Sequence, residues 1–385
     1  MVAAAGLGLA ACAPASNAPA IAAVELHPTG PAGAWFHDAY AQGAAEVYET
    51  RGMICAIEGD VVVESLNSDQ SIVATSLTTG DVVWQRESAL CVYAAPQNDL
   101  GLLVTSWSDE ADGEYTQELV DPVTGEVLSE LAWGHRSSAQ TIGSVEDVWV
   151  MSANGQYVGI REGDTVWTSN VGAFQLTMLL DEPVIASHDV GSGTVTLIDA
   201  TTGQSIVELK PDAGHFGWAT DGLLLLEDDD EASPTSWAAE KSTYRLVDLT
   251  GAEVGDVSAT TNIHIVPGWR EGVTLPLDDY VQAPSVYAVA HDGTPALYVD
   301  NQGDSFTASG AIDLPTRPRN VVGVSTSGTS FLFFDHTTGL TLVDHTGAAT
   351  NLETDPKNSA VTIRDGYIVV GGLGEGARIL LPNAG

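Results

Sequence analysis

The chain is short of positive charge. Lys and Arg number 13 against 52 Asp and Glu, a formal net charge of −39 over 385 residues. A surface this acidic repels the phosphates of nucleic acids and anionic lipid surfaces, so neither is expected as a partner. Two readings of the acidity stay open: attraction of cations or basic partners, or plain solvation of the surface in a salt-tolerant or lysine-poor setting. Long apolar runs are also missing. Beyond the amino terminus none reaches the roughly 18–20 residues that a spanning helix needs. No stretch of a dozen residues keeps a helical period. Catalytic signatures are lacking as well: there is no GxSxG, no Walker loop, no dinucleotide fingerprint, and no HxH or HExxH among the scattered histidines.

What fills the chain is short Val-, Ile- and Leu-rich segments bounded by Gly, Asp, Thr and Pro, the pattern of strands and tight turns. One unit recurs. Ala74 to Trp84 reads Ala-Thr-Ser-Leu-Thr-Thr-Gly-Asp-Val-Val-Trp: the end of a strand, a turn at Thr79-Gly80, and a returning strand closed by Trp84. Copies follow at Leu119–Leu128, Leu197–Ile206, Leu246–Val254 and Leu342–Thr350, with weaker ones at Ile160–Trp167 and Val289–Leu297. Their glycines, at 80, 125, 163, 203, 251, 293 and 347, are spaced by 45, 38, 40, 48, 42 and 54 residues. About 40–50 residues is the period of a four-stranded propeller blade. Three strands remain after the seventh copy, at 361–363, 367–370 and 379–381. A strand from before Cys55 would complete that last blade and close the ring, since an open edge is a liability. The expectation is an all-β chain with one propeller of eight blades, or seven if the last strands only complete a weak blade. Residues 34–49 are left as a turn of helix or an outer strand. Residues 227–241 and 300–320 stand out as long loops on a rigid scaffold, where binding usually resides.

Ala74, Gly80, Asp81 and Trp84 resemble the tryptophan-docking pattern of PQQ-type β-propeller repeats, Ala-x-Asp-x-x-x-Gly-Lys-x-x-Trp, with Ser76 for the Asp and Asp81 for the Lys. Trp167 holds the same place in the third copy. The resemblance runs from about residue 50 onward. It implies a propeller in which Trp84 and Trp167 dock over the turn and first strands of the neighbouring blade. Quinoprotein dehydrogenases of that superfamily use a vicinal disulfide over the quinone and a calcium-bound Asp. Adjacent cysteines are absent here, so no catalytic residue carries over and no cofactor is expected. PQQ or calcium belongs to the alternative, a channel-mouth enzyme.

The amino terminus differs from the rest. Residues 1–11 are small and apolar, and Leu9-Ala10-Ala11-Cys12 looks like a bacterial lipobox, whose Cys is diacylated. The basic start of a signal peptide is missing. The domain reading is a lipoprotein signal at 1–11, a flexible linker at 12–33 and the propeller at 34–385. The protein would sit at the outer face of the cytoplasmic membrane on a lipid anchor. If Cys12 carries lipid, Cys55 and Cys91 remain as a pair for an oxidising compartment, on first strands of successive blades; the alternative is two buried free thiols. Asp228, Asp229, Asp230 and Glu231 are weak calcium candidates, since consecutive carboxylates lack the alternation of a calcium loop. Asp300-Asn-Gln-Gly-Asp304 begins like such a loop, but its Gly comes too early and its later Glu is missing. His215 and His264 fall near first strands, where either a channel-facing or an ordinary core role is open. The functional expectation is a monomeric binding or scaffold module for a protein or envelope ligand on one face.

Overall fold

The computed structural model describes residues 26–27, 35–66, 68–91, 101–107, 115–131, 140–145, 147–153, 155–161, 164–172, 176–179, 183–189, 191–210, 216–226, 242–259, 275–282, 286–299, 304–314, 321–335, 339–353, 360–372 and 374–383. They form eight antiparallel four-stranded blades of a propeller. Each blade is a chain of hairpins, and its outermost strand comes last in sequence. Blade 1 runs Met53–Glu58, Val61–Leu66, Ser71–Ser76 and Val82–Glu87. Blade 2 runs Ala89–Cys91, Leu102–Trp107, Tyr115–Val120 and Val127–Leu131. Blade 3 has Gln140–Val145, Val148–Ala153, Gln156–Arg161 and Asp164–Gly172. Blade 4 has Leu176–Leu179, Val184–Asp189, Thr194–Asp199 and Ser205–Leu209. Phe216–Ala219, Gly222–Leu226, Ser242–Asp248 and Glu253–Ala259 make blade 5, and Val286–Val289, Pro295–Val299, Ser305–Thr307 and Gly310–Ile312 make blade 6. Val321–Ser325, Ser330–Asp335, Gly339–Asp344 and Ala349–Glu353 make blade 7.

Blade 8 breaks the rule. Val361–Arg364, Tyr367–Val370 and Arg378–Pro382 supply its inner three strands, and Ala44–Glu49 pairs antiparallel with Arg378–Pro382 as the fourth. An early segment thus completes the last blade, and the ring has no missing strand. Several second strands are buried on both faces and read as continuous apolar runs, such as Val61-Val62-Val63 and Phe331-Leu332-Phe333. The apolar clusters lie mainly in the seams between successive blades.

Antiparallel order places the first-to-second turn of every blade, and the third-to-fourth turns of blades 1 to 7, on one face, the turn face. Second-to-third turns and blade-to-blade connections lie on the other. An amino-terminal strap crosses the turn face. Leu26 is buried between blades 5 and 6 beside Tyr244, Leu277 and Tyr280, and its N–H donates to Gly293 O at 3.3 Å. Leu26 lies within the stretch 12–33 read as linker and is packed against the propeller. Trp35–Phe36 adds a short parallel strand inside the first strand of blade 7, at Val324 and Ser325. Trp35 Nε1 donates to Val289 O of blade 6 at 3.0 Å, and His37 N–H donates to Gly366 O of blade 8 at 3.0 Å. A 3-10 turn at Asp38–Gln42 follows, with the Tyr40 hydroxyl donating to Leu380 O.

Two segments depart from the sequence reading. Within 300–320 lie the third and fourth strands of blade 6, Ser305–Thr307 and Gly310–Ile312, in place of a long loop. Leu277–Gln282 is a six-residue α-helix whose first amide donates to Asp221 Oδ1 at 2.9 Å, where no helical period had shown in the sequence.

Candidate functional site on the outer rim

The rim is built by the repeated turn. In blades 2, 4, 5 and 7 the third strand ends in Asp121, Asp199, Asp248 or Asp344, whose Oδ1 accepts amide N–H groups from the turn at 2.7–3.0 Å. Donation from Thr124 N–H holds the Asp121 carboxyl below its usual range, and the hydroxyls of Thr250 and Thr346 do the same for Asp248 and Asp344. Ser76, the departure from the repeat in blade 1, performs this task with its hydroxyl, which accepts from Thr79 N–H at 3.2 Å. The turn then closes on a glycine in the left-handed region, φ +74° at Gly125 and +71° at Gly203.

A β-bulge follows each of these turns in blades 1 to 5. In blade 1, Ala74 faces Trp84 and Thr75 faces Val82, so Val83 is opposite nothing. The same skip leaves out Leu128, Val166, Ile206 and Val254 in the next four blades. A bulge shifts the alternation by one and re-aims the side chains after it. The residue at glycine plus four therefore turns inward, to the next blade. The Trp84 ring lies over the turn of blade 2, where a Cβ on Gly125 would sit 2.7 Å from it, and Nε1 donates to Pro122 O at 3.0 Å. Trp167 covers Gly203 of blade 4 in the same way (2.5 Å) and also Gly159 of its own blade (2.2 Å). Val207 covers Gly251 of blade 5, where an added Cβ would sit 2.8 Å from its side chain. Tryptophan is thus one solution of a seam that a smaller side chain also fills.

The bulge residue itself turns outward. Val83, Leu128, Val166, Ile206 and Val254 are 43–56 % exposed. Among the described residues nine large hydrophobic side chains are exposed to this degree, and eight of them are on outermost strands: these five with Val47, Val82 and Val127. Each of the five strands also carries an exposed carboxylate: Glu87, Glu130, Asp164, Glu208, and Glu253 with Asp256. The basic residue on these strands, Arg86, is held by Glu118 and by Gly125 O of blade 2. Sequence reasoning missed this stripe. Its signal was the constant distance of three residues from the glycines already singled out.

Cys55 and Cys91 form a disulfide between the innermost strands of blades 1 and 2, with Cα atoms 5.9 Å apart. His188, at the other end of blade 4, was not singled out by sequence. It is 93 % buried, neither ring nitrogen has a hydrogen-bond partner among the described residues, and it packs edge-on against Phe216 of blade 5, which packs edge-on against Trp218. Burial pushes its pKa down against the pull of the Asp189 carboxylate. Asp304 lies exposed at the start of a blade 6 strand. Cys12, His215, Asp228, Asp229, Asp230, Glu231, His264 and Asp300 lie outside the described residues. Among the described residues no three His, Cys, Asp or Glu side chains gather as a metal site, and no helix is long and apolar enough to cross a membrane.

The described residues define an eight-bladed β-propeller with an apolar, acidic rim over five blades. No protein-family model and no curated protein sequence matches the chain. Similar solved structures include the computationally designed Ika8 protein, 14 % identical over 88 % of this chain and 99 % of that one, TM-score 0.47. BamB from Moraxella catarrhalis is 13 % identical over 87 % and 98 %, TM-score 0.44. The β-propeller domain of Myceliophteria thermophila Cps50 (Swd1) is 12 % identical over 89 % and 99 %, TM-score 0.41. These likenesses add nothing to the architecture described above.

Proposed function

We propose that the chain is a binding propeller of the PQQ-type repeat class, held at the outer face of the cytoplasmic membrane by lipid on Cys12, and that it engages a protein or envelope ligand. The observation that carries the binding role is the rim: apolar side chains kept in water at the same repeat position of five successive blades. Singly exposed apolar residues need no explanation, but a recurring set on rigid strands is a surface kept for contact. The anchor rests on the Leu9–Cys12 match and the small-residue stretch that follows it. Two acyl chains suffice for stable attachment. Cell fractionation tests the anchor: Cys12→Ser, expressed from the native start, is expected to move the protein to the soluble fraction, and unchanged membrane partitioning would overturn it. Absorbance spectroscopy and metal analysis of the purified protein test the role. A stoichiometric quinone would overturn the binding reading in favour of an enzyme.

A further inference from the structure

We infer that the five bulge positions, Val83, Leu128, Val166, Ile206 and Val254, form one docking surface for a partner protein whose contact face presents aliphatic side chains flanked by Lys and Arg. The inference rests on the binding role proposed above and adds the place and the chemistry. Three observations carry it. The first is register. The five residues occupy one position, the unpaired residue of the bulge, so they stand at one height on adjacent blades. No packing requirement makes that position apolar, because its side chain points away from the seam that the next residue fills. The second is confinement. The third-to-fourth ladder of blade 6 has no bulge, and that of blade 7 has its bulge farther from the turn, at Leu352; the strap is attached on the turn face of blades 5 to 8. The exposed apolar residues three positions after the turn glycine are thus confined to blades 1 to 5, and of these blade 5 also carries the strap. The third is charge. Every outermost strand of these five blades bears an exposed carboxylate, while their basic residue is already paired. An acidic surface with apolar points selects a basic partner and repels anionic lipid. The bulges also interrupt the open edge of each outer strand, which disfavours pairing with an added strand. Contact is therefore made by side chains.

The test uses the purified full chain and two synthetic peptides of equal length and charge, an amphipathic Leu/Lys helix and a Ser/Lys control. Binding of the Leu/Lys peptide is expected to be about tenfold tighter or more, and to weaken with salt. The variant Val83→Thr, Leu128→Thr, Val166→Thr, Ile206→Thr, Val254→Thr keeps the net charge and the strand propensity. It should erase the difference between the peptides while its melting curve stays near wild type. If that variant does not fold, Glu87→Gln, Glu130→Gln, Glu208→Gln, Asp256→Asn serves instead, and should weaken both peptides and flatten the salt dependence. Equal binding of the two peptides, or Leu/Lys binding untouched by both variants, overturns the inference. So does rim-dependent binding to phosphatidylcholine vesicles, or rim-dependent self-association in sedimentation. If an envelope protein is retained equally by wild type and the threonine variant, the rim assignment falls while the binding role stands.

Discussion

At the scale of single residues the molecule shows how one position changes what its neighbours do. Val83 faces no partner residue, so Trp84 points to the seam instead of to water. His188 is a different case, a buried polar ring with no hydrogen-bond partner among the described residues. Its neutral form tolerates the aromatic seam between blades 4 and 5, and its charged form would not. The folded pKa lies below the unfolded value of about 6.5, because burial outweighs the attraction of Asp189. The stability this contributes is fully present above the unfolded pKa and is lost as pH falls through that value toward the folded one. Chemical denaturation between pH 7.5 and 5 is therefore expected to show wild type losing stability that His188→Phe retains. Identical pH profiles would show that the ring is solvated in the native state.

At the scale of elements, a blade is stable only against its neighbours, and the third-to-fourth turn is where they meet. Trp167 is nearly fully buried between Gly159 and Gly203, whereas Trp84 is half-buried. Trp167→Ala is expected to cost about 3–5 kcal/mol in urea unfolding, and Trp84→Ala less. A loss below about 1 kcal/mol at Trp167 would show that the seam closes without the ring. The blade period was legible in the sequence because each turn needs the same glycine, and the eighth blade because three strands remained after the seventh repeat. Ser305–Thr307 and Gly310–Ile312 were not legible: strands of three residues such as Gly-Ala-Ile are too short for alternation to register. The six-residue helix at Leu277 fell below one window for the same reason. The bulges hid the rim, because a one-residue slip breaks alternation where the outward residue stands. His188 had no signal at all, since Phe216, the ring packed on it, comes from blade 5.

At the scale of the whole molecule, closure is the decisive event, and it joins segments more than 300 residues apart. The closing seam contains a fully buried carboxylate. Glu64 accepts the Tyr48 hydroxyl at 2.6 Å and the Arg51 and Gly52 amides at 2.6 and 3.2 Å, with the Arg51 guanidinium 3.5 Å away. Tyr48 belongs to the closing strand, so closure and charge satisfaction occur together. Tyr48→Phe removes one partner of a buried charge and is expected to lower stability by about 1–3 kcal/mol, read from the denaturation midpoint. An unchanged midpoint would mean that water replaces the hydroxyl. The disulfide adds a covalent stitch across the neighbouring seam, spanning 36 residues, a loop worth about 3–4 kcal/mol on the chain-entropy account. The strap, finally, decides how mechanical load enters the ring. A pull applied upstream of Leu26 meets first the apolar plug and the Gly293 hydrogen bond on blades 5 and 6. It then meets the parallel pair on blade 7 and the His37 contact on blade 8, before any tension reaches the closing strand. Those attachments act in series on four blades, so a tether at this end would be strain-relieved, as a cable is clamped before its solder joint.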